Sequence, residues 1–417
     1  MMRTIVSLCF VLALSACGGR LIPQSASTPS TKAPSAKAAN KAIVSATPLT
    51  PQAVQVGSGP NARLLGLVAA PNGIQYDPAS ASRALKAFRI SCPSVIKRID
   101  QSGLTAPADW QPACAAAKNW PDSDSRSFFT QYFELAQVGD GKAFATGYYE
   151  PEIAGSRTRS KGYEVPVYKR PPELVELDLG QFSDSLKGKK IRGRVEGKSF
   201  IPFADRTGIE TGALEGRGLE IAWAADAIDF FVLQIQGSGK LRLPDGSVMQ
   251  IGYDSQNGRD YTGIGKLMKD RGLLAPGQSS MQGIENWLRA NPTEGQAIMR
   301  ENKSWVFFRE ITGPGPLGAL GLPVTGKASV ATDPMFVPLG APVLLSMDRA
   351  DASGIWIAQD TGGAIKGSNR FDTFWGAGDE ARATAGGMSA RGTAFVFLPK
   401  GVIARIGAGA GNAPSQR

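Results

Sequence analysis

The chain has 417 residues, a net charge of +10 and no histidine. The lack of histidine removes the usual proton carrier near neutral pH. If Cys9 is cleaved away and Cys17 is lipidated, the two remaining cysteines are too few for an ordinary zinc site. We therefore expect no metal and no cofactor, and any acid or base step must use Asp, Glu, Lys, Tyr or a thiol.

Residues 1–16 are predicted to be a lipoprotein signal peptide. A basic start at Arg3 precedes an apolar run, 5–14, that is too short to span a bilayer. Leu14-Ser15-Ala16-Cys17 resembles a bacterial lipobox, in which Cys17 is lipidated; an ordinary secretory site with an incidental cysteine is the alternative. Gly18 follows, where Asp would favour inner-membrane retention, so we expect a lipid anchor on the periplasmic face of the outer membrane.

Residues 17–58 are predicted to be a disordered tether, since they hold Ala, Pro, Ser, Thr and Lys, no acidic residue and few large apolar residues. Five basic residues lie within the first 41 positions, which leaves a net charge of about +5 on the remainder. This modest excess suits an acidic polymer such as a carboxylate-rich cell wall. It is too small and too scattered to indicate nucleic-acid binding.

The remaining part, about 360 residues, is long enough for two domains. If Cys9 is cleaved away and Cys17 is lipidated, Cys92 and Cys114 are the thiols left in an oxidising compartment. A disulfide between them is one interpretation. Two separate buried cysteines are the other, because sequence does not fix the distance between their Cα atoms.

Short apolar runs between Gly and Pro signals indicate a mainly β protein with a few helices. Helical spacing predicts helices at 85–99, 125–135, 263–274 and 281–290, with Pro292 ending the last. Strands are predicted at 164–168, 230–236, 240–243, 305–310, 327–332, 342–347, 354–359 and 392–398. Runs this short favour barrels over an open parallel sheet.

The stretch that carries the most chemistry is AQDTGGAIKG at 358–367, followed by NRFD at 369–372. Asp360 ends an alternating strand, a glycine pair lets the chain turn, and Asp372 is predicted to return within several Å. Two carboxylates so close cannot both ionise freely, so one would have a raised pKa and could act as an acid. The alternative is that both only cap turns. Asp333 marks a third acidic turn.

These three aspartates and their neighbours resemble the 3D domain, and Gly378, Ala381, Ala385-Gly386 and Met388 extend the likeness. Further motifs are TGYYEP at 146–151, FVLQIQGSG at 231–239, NGR at 257–259 with Tyr261, and NKSWVFF at 302–308. The series in this order resembles the membrane-bound lytic murein transglycosylase A family from about residue 60 to 400.

The resemblance implies a mainly β fold with a few short helices. A double-psi β-barrel catalytic domain would be built from 59–150 and 306–412, and a second β-barrel would be inserted as 151–305. The substrate groove would run between the two domains. Peptidoglycan glycan strands are then the expected partner, with the outer membrane held through the N-terminal lipid and cell-wall synthesis enzymes as candidate protein partners.

The implied reaction cleaves the β-1,4 bond between N-acetylmuramic acid and N-acetylglucosamine without water. Asp372 would donate a proton to the bridging oxygen and then take one from the sugar's own 6-hydroxyl, which closes a 1,6-anhydro ring. Asp360 would stand beside it as a helper. Because the attack is intramolecular, positioning matters more than a second base.

The implied substrate contacts are Thr146, Tyr148, Tyr149, Gln234, Gln236, Ser238, Lys366 and Asp333. In this scheme Thr146 orients the acid, and the tyrosines stack on sugar rings or form hydrogen bonds. The glutamines and Ser238 would bind N-acetyl groups or hydroxyls. Lys366 is expected to keep Asp360 ionised, so that Asp372 retains its proton.

Two other functions fit the same residues. A hydrolytic muramidase would use Asp360 and Asp372 as an acid and base pair with water, and would release reducing ends. A non-catalytic wall-binding lipoprotein would release nothing.

Overall fold

The computed structural model describes residues 44–54 and 56–410, the last three by their backbone. The expected signal peptide, Cys17 and most of the tether lie outside these residues. Within the described ranges, no helix is both long and apolar enough to cross a membrane.

The helices of the described part are α1 (Ala62–Leu65), α2 (Pro78–Val95), α3 (Gln111–Ala117), α4 (Ser125–Tyr132), α5 (Arg206–Glu210), α6 (Ala227–Gln236), α7 (Ile264–Asp270), α8 (Met281–Ala290), α9 (Pro292–Glu301), α10 (Asp379–Gly386) and α11 (Val402–Ala410). The strands are β1 (Leu67–Ala69), β2 (Phe133–Val138), β3 (Lys142–Glu150), β4 (Glu152–Ser156), β5 (Val165–Tyr168), β6 (Val175–Asp178), β7 (Lys190–Glu196), β8 (Ser199–Pro202), β9 (Glu220–Ala224), β10 (Ser238–Arg242), β11 (Val248–Gln256), β12 (Val306–Glu310), β13 (Ser329–Ala331), β14 (Pro342–Met347), β15 (Gly354–Asp360), β16 (Arg370–Ala377) and β17 (Ser389–Pro399).

One predicted strand is wrong: residues 230–236 belong to α6. Asp226 caps this helix by accepting two backbone N–H bonds in its first turn, at 3.0 and 2.8 Å. Gly237 ends it with a left-handed φ of 79°. These caps satisfy free groups at both helix ends and outweigh the β preference of the aromatic and branched residues between them. The predicted helix 281–290 is confirmed as α8, which ends just before Pro292, and Pro292 then opens α9, where its missing N–H is not needed.

The largest sheet has eight strands in the order β1-β2-β17-β14-β15-β13-β16-β3, and β17 also pairs with β3. Strands β3, β13, β14, β15, β16 and β17 therefore each have a partner on both sides. The sheet is mixed, since β13 runs parallel to β15 and β16 runs parallel to β3. It is assembled from 67–150 and 329–399, so the two ends of the described chain build it together.

The intervening segment forms two further sheets. A mixed six-stranded sheet has the order β12-β11-β10-β4-β9-β5, and β6, β7 and β8 form an antiparallel three-stranded sheet. The fold is thus one of mixed sheets with a few short helices. The predicted domain boundaries near 150 and 305 stay a prediction.

Separate hydrophobic cores support these layers. One core packs α2, α3 and α4 against the large sheet, and Phe88, Phe128 and Phe395 are among its fully buried side chains. A disulfide joins Cys92 of α2 to Cys114 of α3, with Cα atoms 5.5 Å apart. A second core, which includes Phe230 and Phe307, lies under the six-stranded sheet.

Candidate active site

Asp360 and Asp372 lie on one row across the large sheet. Ala331 of β13 is in register with Asp360 of β15 on one side and with Asp372 of β16 on the other. Since neighbouring strands are about 4.8 Å apart, the two aspartate backbones are about 10 Å apart. Residues on one row project to the same face, so both carboxylates face the same side with the small Ala331 between them.

The Asp372 carboxyl is held from one side by Thr146, its register partner on β3. The Thr146 hydroxyl donates to Asp372 Oδ1 at 2.6 Å and accepts from Arg370 Nη2 at 2.9 Å. Oδ2 has no hydrogen-bond partner among the described residues. Burial raises the pKa of Asp372 to about 6, against the lowering effects of the Thr146 bond and the Arg370 charge. A carboxyl of this kind can hold and donate a proton.

Asp360 is surrounded by donors. Its Oδ2 accepts from the Tyr148 hydroxyl at 2.9 Å, and its Oδ1 accepts from the backbone N–H groups of Ala319 and Thr361 at 3.0 and 2.8 Å. Burial raises the pKa of Asp360 to about 6, and these three bonds oppose that rise. The two aspartates therefore differ in hydrogen bonding more than in pKa: three donors favour the ionised form of Asp360, and one donor leaves Asp372 an open oxygen.

The positive charge beside Asp372 comes from Arg370 and not from Lys366. Lys366 is exposed and forms no hydrogen bond or ion pair with the described residues, and the pKa shifts of neither aspartate involve its charge. Its expected role in keeping Asp360 ionised is therefore unsupported. The Tyr148 hydroxyl and two backbone N–H groups favour the carboxylate form of Asp360 instead. The sequence signal for Arg370 was its place two residues before Asp372, on the same face of a strand.

Asp333 has a structural place next to the site. Its two oxygens accept backbone N–H bonds from Met335 at 3.0 Å and from Gly367 at 2.8 Å. The carboxylate is buried, and it fixes the loop that connects Asp360 to Asp372. Asn369 closes that loop with a left-handed φ of 59°, and its side chain donates to the Val138 carbonyl.

The two tyrosines of β3 point to opposite sides, as neighbouring strand residues must. Tyr148 reaches Asp360, and its ring packs on Phe374 with centroids 4.9 Å apart. Tyr149 is buried on the other side. Its backbone N–H donates to Gln236 Oε1 at 3.1 Å, which ties the C-terminus of α6 to β3.

Two other predicted substrate contacts lie apart from this row. Gln234 is buried and accepts from Arg206 Nη1 at 2.8 Å, while its amide donates to the Val306 carbonyl. Its polar atoms are used inside the fold. Ser238 is also buried, where β10 begins.

Tyr261 is a site residue that the sequence brought up only as part of a motif. A Cβ on Gly363, in the loop after Asp360, would lie 3.7 Å from the Tyr261 Cβ, so this tyrosine packs on the loop. Burial raises its pKa, and the negative charge of Asp372 raises it further. The intervening segment thus supplies one wall of the site.

Comparison with known proteins gives two family-model matches. The MltA specific insert domain covers residues 144–309, and the 3D domain covers residues 328–398. The crystal structure of MltA from Neisseria gonorrhoeae is 34% identical, and the match covers 84% of this chain and 97% of that one with a TM-score of 0.67. The chain belongs to the membrane-bound lytic murein transglycosylase A family.

Two more members of the lytic murein transglycosylase A family add detail. The Vibrio cholerae serotype O1 protein of that name is 31% identical over an alignment of 268 residues, and the match covers 61% of this chain and 66% of the relative. Escherichia coli MltA, solved with bound chitohexaose, is 26% identical, covers 80% of this chain and 94% of that one, and has a TM-score of 0.57. Lytic murein transglycosylases are lyases that act on peptidoglycan, and membership supports this enzymatic class and a membrane association.

Proposed function

We propose that this chain is a peptidoglycan lytic transglycosylase that uses Asp372 first as an acid and then as a base. The observation that carries the assignment is the one-sided hydrogen bonding of Asp372. Its Oδ1 accepts from Thr146, and its Oδ2 has no hydrogen-bond partner within residues 44–54 and 56–410. Membership of the family supplies the reaction class.

In the first step, protonated Asp372 donates its proton to the oxygen that links N-acetylmuramic acid to N-acetylglucosamine. The bond from that oxygen to the anomeric carbon breaks, and an oxocarbenium-like centre develops. In the second step the 6-hydroxyl of the same muramic acid attacks the anomeric carbon and returns a proton to the Asp372 carboxylate. A 1,6-anhydro ring forms, no water is consumed, and Asp372 ends in its starting state.

Asp360 has a supporting part in this reaction. Its three donors favour the carboxylate form, and a negative charge on the same face as Asp372 stabilises the positive charge that develops on the sugar. That charge also helps Asp372 to keep its proton before the reaction. The pair is therefore unequal, with one proton carrier and one electrostatic helper.

Glycan strands are proposed to bind between the large sheet and the intervening segment. The chitohexaose held by the Escherichia coli relative supports a glycan ligand. Tyr148 and Tyr261 offer aromatic and hydroxyl groups at this place, and Tyr149, Gln236 and Ser238 remain candidate contacts further along. Strands β3, β17, β14, β15, β13 and β16 pair in a closed order, which supports the expected double-psi barrel. The second barrel in the insert stays a proposal from the family resemblance.

The location is proposed from the N-terminal sequence. Lipidation at Cys17 and the tether that follows would hold the enzyme at the periplasmic face of the outer membrane, within reach of the wall. Cell-wall synthesis enzymes remain the proposed class of protein partner.

One digest tests the function. Purified protein is incubated with peptidoglycan sacculi, and the soluble fragments are analysed by mass spectrometry. We expect 1,6-anhydro ends from the wild type and no release by Asp372→Asn. Reducing ends from the wild type would identify a muramidase instead, and an undigested sacculus would identify a binding protein.

A further inference from the structure

The guanidinium of Arg370 is fixed in direction by three contacts. Its Nη2 donates to Thr146 Oγ1 at 2.9 Å, its Nη1 donates to the carbonyl of Phe371, and its central carbon lies 4.9 Å from the centroid of the Phe144 ring. It is partly buried, on the same strand as Asp372 and two residues before it. A planar group held by several contacts is restricted in rotation, so Nη2 stays directed at Thr146.

The contact with Arg370 determines whether the Thr146 hydroxyl donates to Asp372 or accepts from it. A threonine hydroxyl has one hydrogen and two lone pairs, and a guanidinium only donates, so the Arg370 contact occupies a lone pair of Oγ1. In the part of the chain that the structure describes, Asp372 Oδ1 is the one acceptor within hydrogen-bond reach of the remaining hydrogen. The 2.6 Å separation falls within the range of about 2.5–2.7 Å for a hydroxyl bound to a carboxylate oxygen.

We propose that Arg370 is a positioning residue that acts through Thr146: it commits the Thr146 hydrogen to Asp372 Oδ1, so that Oδ2 is the oxygen that delivers and recovers the proton. This inference rests on the proposed function, and it adds the atom that carries the proton and the residue that selects it. Without Arg370 the hydroxyl can rotate, and the proton can then reside on either oxygen of Asp372.

The pH dependence of the rate separates the positioning effect of Arg370 from the effect of its charge on the pKa of Asp372. The groups that face Asp372 are Arg370 on its own strand, Asp360 on β15, Tyr148 on β3 and Tyr261 on the loop before α7. The pKa values of both tyrosines are raised, so they stay neutral in the working range, and among the described residues Arg370 and Asp360 contribute the charge that acts on Asp372. Loss of the Arg370 charge moves the alkaline limb of the rate profile to higher pH, because that charge lowers the pKa of Asp372. Loss of positioning lowers the rate on the plateau.

The test is a double-mutant cycle on the full enzyme with Arg370→Met, Thr146→Val and the double variant. Plateau kcat and KM are measured on purified glycan strands, and thermal unfolding checks that each variant folds. We expect each single change to lower kcat on the order of tenfold to a hundredfold with little change in KM. The double variant should be no slower than Thr146→Val alone, because Arg370 acts through that hydroxyl.

Two conservative variants complete the cycle. Thr146→Ser keeps the donor and should retain most of the activity, and Arg370→Lys keeps the charge but not the fork, so its pH limb should stay while its plateau falls. If Arg370→Met does not fold, Arg370→Lys takes its place in the cycle. Multiplicative losses in the double variant, or an unchanged plateau without Arg370, would overturn the inference. A wild type that forms no anhydro ends would instead overturn the proposed function.

Discussion

Thr146 and Asp372 lie opposite each other on the parallel strands β3 and β16, although 226 residues separate them in the chain. Their hydrogen bond joins the N-terminal and C-terminal parts of the large sheet at the catalytic row. The acid is therefore positioned only when both parts have come together around the intervening segment. A change at Thr146 should act on the chemistry of Asp372, while most of the sheet keeps its core.

Activity should fall as the pH rises above about 6. Asp372 must be protonated in the free enzyme, and its pKa is raised to about 6, so the active fraction drops about tenfold for each further pH unit. In Thr146→Val the alkaline limb should move to higher pH, because the Thr146 bond lowers that pKa. Initial rates of soluble anhydro-product release between pH 4 and 8 measure both effects. Rates that rise steadily from pH 6 to pH 8 would contradict the assignment.

Asp372→Asn should be more stable than the wild type at neutral pH. The pKa of Asp372 is about 6 in the folded state and about 3.9 in an unfolded chain, so the folded protein loses stability as the pH rises from about 4 to 6. Asparagine does not ionise, and its oxygen can still accept from Thr146. We expect an increase in the free energy of unfolding of up to about 3 kcal/mol at pH 7.5.

Urea unfolding of Asp372→Asn and wild type at pH 7.5 and pH 4 gives the comparison. The stability difference should shrink to less than about 1 kcal/mol at the lower pH, where the wild-type carboxyl is protonated in the folded state and about half protonated in the unfolded chain. An asparagine variant that is less stable than the wild type at pH 7.5 would show that Asp372 is not strained by burial.

Much of this site was predictable from sequence, and the predictions that failed did so for physical reasons. The aspartates Asp360 and Asp372 were predicted from the turn that separates them, while Thr146 and Tyr148 followed from the family resemblance. The structure brings all four to one face of the large sheet. Lys366 was assigned by proximity in sequence, but the loop turns its side chain to solvent. Arg370 received no role, because only the pairing of β16 with β3 brings it to Thr146.

The secondary structure was also predictable in some segments and not in others. Segments such as 342–347 and 354–359 form strands because their short apolar runs are almost fully buried between neighbouring strands. Residues 230–236 have the composition of a strand, and the caps at Asp226 and Gly237 decide otherwise. Gln234 was misread for that reason: on a strand near the site it could meet substrate, but on α6 it meets Arg206.

Gln234→Met should reduce stability and leave substrate affinity almost unchanged. Gln234 accepts from Arg206 Nη1, and the guanidinium also donates to the carbonyls of Asn302 and Ser304 while lying between the rings of Phe231 and Trp305. Loss of the acceptor removes the hydrogen bond of a buried guanidinium N–H and leaves Nη1 only the 3.8 Å ion pair with Glu210, which costs about 2 kcal/mol. Urea unfolding and KM on glycan strands measure the two effects. A raised KM with normal stability would return Gln234 to the substrate site.

Removal of the disulfide should also act on stability alone. Cys92 and Cys114 are 22 residues apart, and a cross-link that closes a loop of this length contributes about 3 kcal/mol by restricting the unfolded chain. The double variant Cys92→Ala/Cys114→Ala should lose about that much unfolding free energy and keep its kcat when folded. The wild type under reducing conditions is the matched control. An equal stability of oxidised and reduced wild type would contradict the prediction.

Tyr148→Phe should lower kcat on the order of tenfold, less than the loss caused by Asp372→Asn. The change removes the hydroxyl that donates to Asp360 Oδ2 at 2.9 Å and keeps the ring that packs on Phe374. Because that bond lowers the pKa of Asp360, its loss lets Asp360 become protonated at higher pH, and the helper charge is then missing. The acidic limb of the rate profile should therefore move to higher pH, while the alkaline limb set by Asp372 stays nearly in place.

Tyr132→Phe is the matched control. It makes the same chemical change on α4, away from Asp360 and Asp372, and should leave both limbs unchanged. A Tyr148→Phe profile that only scales down, with no shift of its acidic limb, would show that the tyrosine contributes ring contact and not the support of Asp360.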